Sequence, residues 1–150
     1  MSSYRHVLVG TDGSPPSLRA VDKAASVARD TGATLLVACA YYPNDEKEVE
    51  RAREEMGDEA FQVMGSAPAE DKLREAADRA RVAGAGEVET IAQLGDPVPS
   101  LLDIAENRSA DLLVVGSRGL NTLKGRILGS VPSEVSRRAE CDVLVVRTSR

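Results

Sequence analysis

The chain has 150 residues, of which 42% are hydrophobic and 29% charged, and these values predict one globular domain spanning residues 1–150. Its net charge of −5 argues against nucleic-acid partners, because binding to a phosphate backbone requires a basic field. No apolar run approaches the ~18 residues of a membrane helix, and two cysteines with one histidine offer no metal-ligand spacing. The N-terminus leads into a predicted strand without signal-peptide features, so we expect a cytoplasmic protein without membrane partners.

The first part of the chain alternates between strand and helix patterns. His6–Gly10 is a nearly continuous apolar run, typical of a strand that is covered on both faces. Ser14 and Pro15 predict a helix start, and Gly32 predicts the helix end. Residues 33–41 then have the composition of a second strand.

A strongly charged stretch interrupts this alternation at 42–65, where we expect a mobile surface excursion. Beyond it the alternation resumes, and Asp96 is the predicted N-cap of the second helix in this part. Helices are predicted at 66–83, 97–107 and 130–139, and strands are predicted at 87–94, 111–116 and 141–147. Strands that alternate with helices predict an α/β fold, with a parallel sheet and helices on both faces.

Two loops are candidates for a ligand site, one after the first strand at 10–13 and one after the fourth strand at 116–129. Ligands of open parallel sheets bind beyond the carboxyl ends of the strands, so these loops face one crevice if the first and fourth strands are neighbours. The second loop is rich in glycine and basic residues and leads into a helix N-terminus, which suits an anion. The sequence therefore predicts a phosphate site within a nucleotide pocket.

The spacing Gly116-x2-Gly119-x9-Gly129-Ser130 resembles the nucleotide-binding signature of the universal stress protein family. Four further segments are similar to the family in the same order, at 7–14, 95–97, 110–119 and 131–146. The resemblance implies a five-stranded parallel sheet of order 3-2-1-4-5. It also implies a homodimer that pairs through the last strand, at residues 142–147.

The resemblance also implies roles for individual residues. Gly10, Thr11 and Asp12 would lie at the ribose and adenine end, where the Asp12 carboxylate accepts hydrogen bonds from ribose hydroxyls, and Ala38 would lie against the adenine. The residues implied at the phosphate end are Gly116, Ser117, Arg118, Gly119, Gly129, Ser130 and Val131.

The implied ligand is an adenine nucleotide, namely ATP, AMP or cyclic AMP, with Mg²⁺ accompanying ATP. Pro132 departs from the Ser or Thr that the family often has after Gly-Ser-Val. Because proline has neither an N–H nor a hydroxyl, we hypothesise a weaker hold on triphosphates than on AMP-like or cyclic ligands. The segment at 129–139 also resembles an actinobacterial branch of the family associated with cyclic AMP.

Three functions remain open from the sequence: a nucleotide-binding regulator or sensor of the stress response, a slow Mg²⁺-dependent ATPase, and a dimerising scaffold with a vestigial pocket. Hydrolysis requires an oriented water, usually a base, and a metal clamp, and Asp12 is the only carboxylate clearly at the predicted site. The chain has no Gly-x4-Gly-Lys-Ser/Thr loop, and its lone His6 supplies no Ser–His pair. We therefore expect no catalytic residues and favour the regulator.

Overall fold

The computed structural model describes residues 4–42, 66–117 and 130–148. These ranges contain five strands: β1 (His6–Gly10), β2 (Thr34–Tyr41), β3 (Glu87–Leu94), β4 (Leu112–Gly116) and β5 (Asp142–Val146). They also contain four helices: α1 (Pro15–Thr31), α2 (Ser66–Val82), α3 (Pro97–Asn107) and α4 (Ser130–Arg138). Each of these bounds lies within one residue of its predicted position.

The five strands form one parallel sheet in the order β3-β2-β1-β4-β5. The predicted fold class and strand order are therefore confirmed. Gly10 at the end of β1 pairs with Ala38 on β2, and Val9 pairs with Val114 on β4. The carboxyl ends of β1 and β4 are thus neighbours, which brings together the two strand ends from which the candidate loops depart.

The central strand β1 is buried on both faces of the sheet. Val7 and Val9 pack into the core beneath α1 and α2, whereas Leu8 packs into the core with α3 and α4 on the opposite face. All three side chains are completely buried, because successive residues of a strand point to opposite faces and each face is covered by helices. The edge strand β3 is more exposed than β1.

The caps of α1 and the N-cap of α3 fall at the predicted residues. Ser14 Oγ accepts a hydrogen bond from Ser17 N, and Gly32 takes the left-handed conformation at φ 71° after the last turn. Asp96 occupies the N-cap position of α3, but its side chain caps no helix N–H. The predicted N-cap residue is therefore confirmed, and its Oδ1 accepts a hydrogen bond from Tyr42 Oη at 2.7 Å.

The two cysteines are unpaired thiols, with Cys39 buried on β2 and Cys141 half-buried just before β5. Burial raises the pKa of Cys39 to about 12, with a smaller contribution from the negative charge of Asp12. No helix in the described ranges has both the length and the apolar character needed to cross a membrane. The predicted excursion at 42–65, apart from Tyr42, lies outside the described residues.

Candidate functional site

A cleft opens where the strand order reverses, above the carboxyl ends of β1 and β4. The turn after β1 forms its floor, and β2 with the start of α3 forms one wall. The end of β4, the start of α4 and the segment after β5 form the other wall. With its open mouth included, the cleft encloses about 730 Å³.

Thr11 fixes the floor of the cleft through both its backbone and its side chain. Its N–H donates to Ala38 O at 2.9 Å, and its Oγ1 accepts from Gly13 N at 3.0 Å. Thr11 Oγ1 also lies 2.8 Å from Ser17 Oγ, and Ser17 Oγ donates to Ser14 O at 2.9 Å. Since that bond uses the Ser17 proton, Thr11 is the donor of the hydroxyl pair.

Asp12 lines the cleft from the same turn and is half-buried. Its Oδ1 accepts from Ser14 N at 2.9 Å, a local bond characteristic of an aspartate turn. Gly13 follows at φ +82°, a conformation that favours glycine. The side chain of Lys72 packs alongside, with Nζ 3.0 Å from the position that a Cβ of Gly13 would occupy. The turn therefore carries a carboxylate in a fixed orientation with a cation nearby.

The wall at β2 is apolar and made of small side chains. Ala38 and Ala40 face the cleft from β2, and Leu101 faces it from α3. The Leu101 methyl groups lie 3.0 Å from the position of a Cβ on Gly10, so only glycine fits there without displacing them. Tyr42 completes this wall, and burial, together with the hydrogen bond to Asp96, raises the pKa of its phenol to about 12.

The wall at β4 is built around Gly116, the last residue of that strand. A Cβ at Gly116 would lie 3.1 Å from Thr148 Cγ2, so glycine permits the segment after β5 to cross the end of β4. Val115, Val131 and Thr148 face the cleft here. Ser117 lies outside the cleft lining: its N–H donates to Val146 O at 2.8 Å, and its Oγ accepts from Thr148 N at 3.1 Å.

The structure brings together predicted residues from four separate segments of the chain. Those that line the cleft are Gly10, Thr11, Asp12, Ala38, Gly116 and Val131. Ser130 begins α4 beside them. The predicted residues Arg118, Gly119 and Gly129 lie outside the described residues.

Several residues of the cleft were missed by the sequence interpretation, notably Tyr42, Leu101 and Thr148. Tyr42 and Thr148 lie just beyond the carboxyl ends of β2 and β5, so the rule that ligands bind at strand ends could have indicated them. Within the described ranges, no group of three His, Cys, Asp or Glu side chains is placed to hold a metal ion.

A parallel sheet with helices on both faces and a cleft at the reversal of its strand order defines the doubly wound class of α/β proteins, whose ligands bind at that reversal. A sequence model of the universal stress protein family matches residues 3–147, and the chain belongs to that family. It is 50% identical over 149 residues to universal stress protein Rv1636 of Mycobacterium tuberculosis, covering 99% of this chain and 100% of the relative. The family resemblance predicted from the sequence is thereby confirmed.

Solved structures agree with this assignment. A universal stress protein solved in complex with cAMP is 45% identical, with a TM-score of 0.77 over 99% of this chain and 100% of that one. UspA from Lactobacillus plantarum is 24% identical, with a TM-score of 0.75 over 98% of this chain and 100% of that one. The similarity to UspA concerns the fold alone.

Proposed function

We propose that this protein binds an adenine nucleotide in the cleft between β1 and β4 and acts as a regulator or sensor of the stress response. The observation that carries the proposal is a single cleft with an apolar slot at β2 and a glycine strand end beside a helix N-terminus at β4. The slot suits a base, and the helix N-terminus suits a phosphate. Similarity to a universal stress protein solved with cAMP supports an adenine nucleotide in particular.

The base and ribose would occupy the end of the cleft at β2. Ala38 and Ala40 leave space for a flat ring opposite Leu101, and Tyr42 adds an aromatic surface to the same wall. The Asp12 carboxylate would accept hydrogen bonds from the ribose hydroxyls. The hydrogen-bonded turn holds this carboxylate in place before the ligand arrives, which reduces the entropy lost on binding.

The phosphate would lie between the end of β4 and the first turn of α4. Gly116 lets the ligand approach the backbone, and the N-terminus of α4 supplies N–H groups and the positive end of the helix dipole. By the family resemblance, the residues that complete this end are Arg118, Gly119, Gly129, Ser130 and Val131.

We propose AMP or cyclic AMP, rather than ATP, as the preferred ligand. Pro132 is the third residue of α4 and is buried, and because it has no N–H, the first turn offers one donor fewer to a chain of phosphates. Slow hydrolysis of ATP with Mg²⁺ is the alternative. Asp12 is the only acidic side chain among the described residues of the cleft, which leaves no second carboxylate there to serve as base or metal ligand.

Calorimetry of the full chain against ATP, ADP, AMP and cyclic AMP tests the binding proposal. We expect AMP or cyclic AMP to bind more tightly than ATP. The variant Ala40→Leu should lower the affinity at least tenfold, because the larger side chain fills the slot at β2. Phosphate release from ATP, measured with and without Mg²⁺, should stay at background and so distinguish a regulator from an ATPase.

Ala92→Leu is the matched control, because Ala92 is a half-buried alanine of β3 that lies outside the cleft lining. This variant should retain the affinity of the natural chain. Absence of heat with all four nucleotides, and of any rise in melting temperature when they are added, would refute nucleotide binding. Equal affinities of the two variants would refute the placement of the base at β2.

We also propose a cytoplasmic homodimer that pairs through the last strand at 142–147. Within the described residues β5 pairs with β4 alone, and its apolar side chains at 143–146 are only half-buried. An uncovered edge strand pairs readily with another chain, and free thiols are typical of a reducing compartment. Sedimentation equilibrium should give twice the monomer mass of 15.9 kDa, whereas a monomer mass at micromolar concentration would contradict the dimer.

A further inference from the structure

Thr148 follows β5 and lies across the end of β4, where it lines the cleft. Its N–H donates to Ser117 Oγ at 3.1 Å, and its carbonyl oxygen accepts from Arg19 Nη1 at 2.6 Å. The backbone of Thr148 is therefore held from both sides, by β4 and by α1. Its side chain faces Gly116, which has no side chain of its own to fill the space.

The hydroxyl of Thr148 is buried and has no hydrogen-bond partner among the described residues. The residue is only 1% exposed, and the cleft that it lines is the side from which a partner could approach. Every other buried side-chain oxygen or nitrogen in the described ranges is satisfied. An isolated unpaired hydroxyl is unfavourable in a folded protein and indicates a partner that binds there.

The position of Thr148 indicates which part of a ligand would supply that partner. Ala38 lies on β2 and Thr148 follows β5, and these two strands are separated in the sheet by β1 and β4. The two residues thus mark opposite ends of the cleft. With the base at Ala38, the group that reaches Thr148 is the phosphate. A rotamer change about the Cα–Cβ bond can carry the hydroxyl to the position that the methyl group occupies, which also faces Gly116.

We propose that Thr148 is a phosphate-binding residue whose hydroxyl donates a hydrogen bond to a phosphate oxygen of the nucleotide. The proposal rests on the proposed function of the cleft. Thr148 stands one residue beyond the segment at 3–147 that the family model matches, so the family pattern does not assign it this role. Arg19 and Ser117 act as positioning residues, because they hold the backbone of Thr148 rather than the ligand.

The test is calorimetry of Thr148→Val and Thr148→Ser with AMP and with adenosine. Valine keeps the shape of threonine without the hydroxyl, so we expect about a tenfold loss of AMP affinity, as for one hydrogen bond to a charged group. Adenosine affinity should change less than about twofold, because adenosine has no phosphate. Thr148→Ser should bind AMP nearly as well as the natural chain, because serine retains the donor.

Thr31→Val is the matched control, since Thr31 Oγ1 donates to Val27 O at 2.8 Å at the end of α1 farthest from the turn. It should lower the melting temperature and leave AMP affinity unchanged. Without nucleotide, Thr148→Val should melt no lower than the natural chain, because it removes an unpaired hydroxyl. A structural role would instead lower the melting temperature and leave AMP affinity intact.

The possible outcomes separate the two proposals. If the natural chain binds AMP and Thr148→Val binds it equally well, the assignment of Thr148 is wrong and the proposed function stands. If adenosine loses as much affinity as AMP, the contact is with the nucleoside, and the phosphate assignment is wrong. If the natural chain binds no adenine nucleotide, both proposals fall.

Discussion

The threonine hydroxyl groups at the two ends of the cleft differ in their hydrogen bonding. In the turn after β1, Thr11 Oγ1 bonds to Gly13 N and Ser17 Oγ, and Ser17 Oγ in turn bonds to Ser14 O. At the other end, Thr148 Oγ1 is also buried but bonds to none of the described residues. Both threonines face the same cleft, so the difference lies in their surroundings and not in their residue type.

The two threonines differ in what their hydroxyl groups can do: one holds the site in shape, and the other can bind a ligand. A hydroxyl whose hydrogen bonds are all made within the protein holds the backbone in shape and has little left to offer a ligand. A buried hydroxyl without a partner costs roughly 1–3 kcal/mol, and a ligand oxygen can recover that cost. We therefore regard the Thr11 turn as scaffold and the Thr148 end as the part of the cleft prepared for a polar ligand group.

The largest effect expected from this comparison is that of Thr11→Val on the nucleotide-free protein. The substitution removes the acceptor for Gly13 N and the donor to Ser17 Oγ. We expect the free energy of unfolding to fall by about 1–3 kcal/mol, the usual cost of leaving buried polar groups unpaired. Urea denaturation monitored by circular dichroism measures this change.

Thr148→Val serves as the comparison for that measurement, because it is the same change at a threonine whose hydroxyl is unpaired. Its free energy of unfolding should equal or exceed that of the natural chain. If Thr148→Val lost more free energy of unfolding than Thr11→Val, the distinction between the two ends of the cleft would be wrong.

The sequence predicted the fold well because its signals are local. The apolar run of β1 and the terminating Gly32 of α1 depend on neighbours within a few positions, and the structure places both as predicted. Asp96 also lies at its predicted N-cap position. The hydrogen bond of its carboxylate with the phenol of Tyr42, 54 residues away in sequence, is a long-range contact that no local pattern predicts.

The site was predicted less completely, because part of it depends on which strands are neighbours. Gly10 and Gly116 stand out in the sequence as glycines directly after apolar strands. Thr148 does not, since its burial arises from the crossing of the β5 extension over Gly116. Tyr42 was assigned to the charged excursion, yet it extends the β2 wall of the cleft. Both belong to the site only once the strand order is known.

A smaller effect is expected at Tyr42, a third cleft residue with a hydroxyl, whose partner is Asp96 Oδ1 at 2.7 Å. Tyr42→Phe removes that hydrogen bond and should lower the free energy of unfolding by about 0.5–1.5 kcal/mol near pH 7. Burial, and then the hydrogen bond to Asp96, raises the pKa of Tyr42 to about 12 from its ordinary value of 10.0. The folded protein therefore favours the neutral phenol over the phenolate.

The contribution of Tyr42 to stability is consequently complete below about pH 10 and is lost as the pH rises towards 12, because the unfolded chain ionises first. Phenylalanine has no such proton, so the stability difference between the natural chain and Tyr42→Phe should shrink from pH 9 to pH 11. Cys39 titrates in both proteins and cancels from the difference. Urea denaturation at several pH values measures this difference, and a difference that stayed constant or grew would contradict the raised pKa of Tyr42.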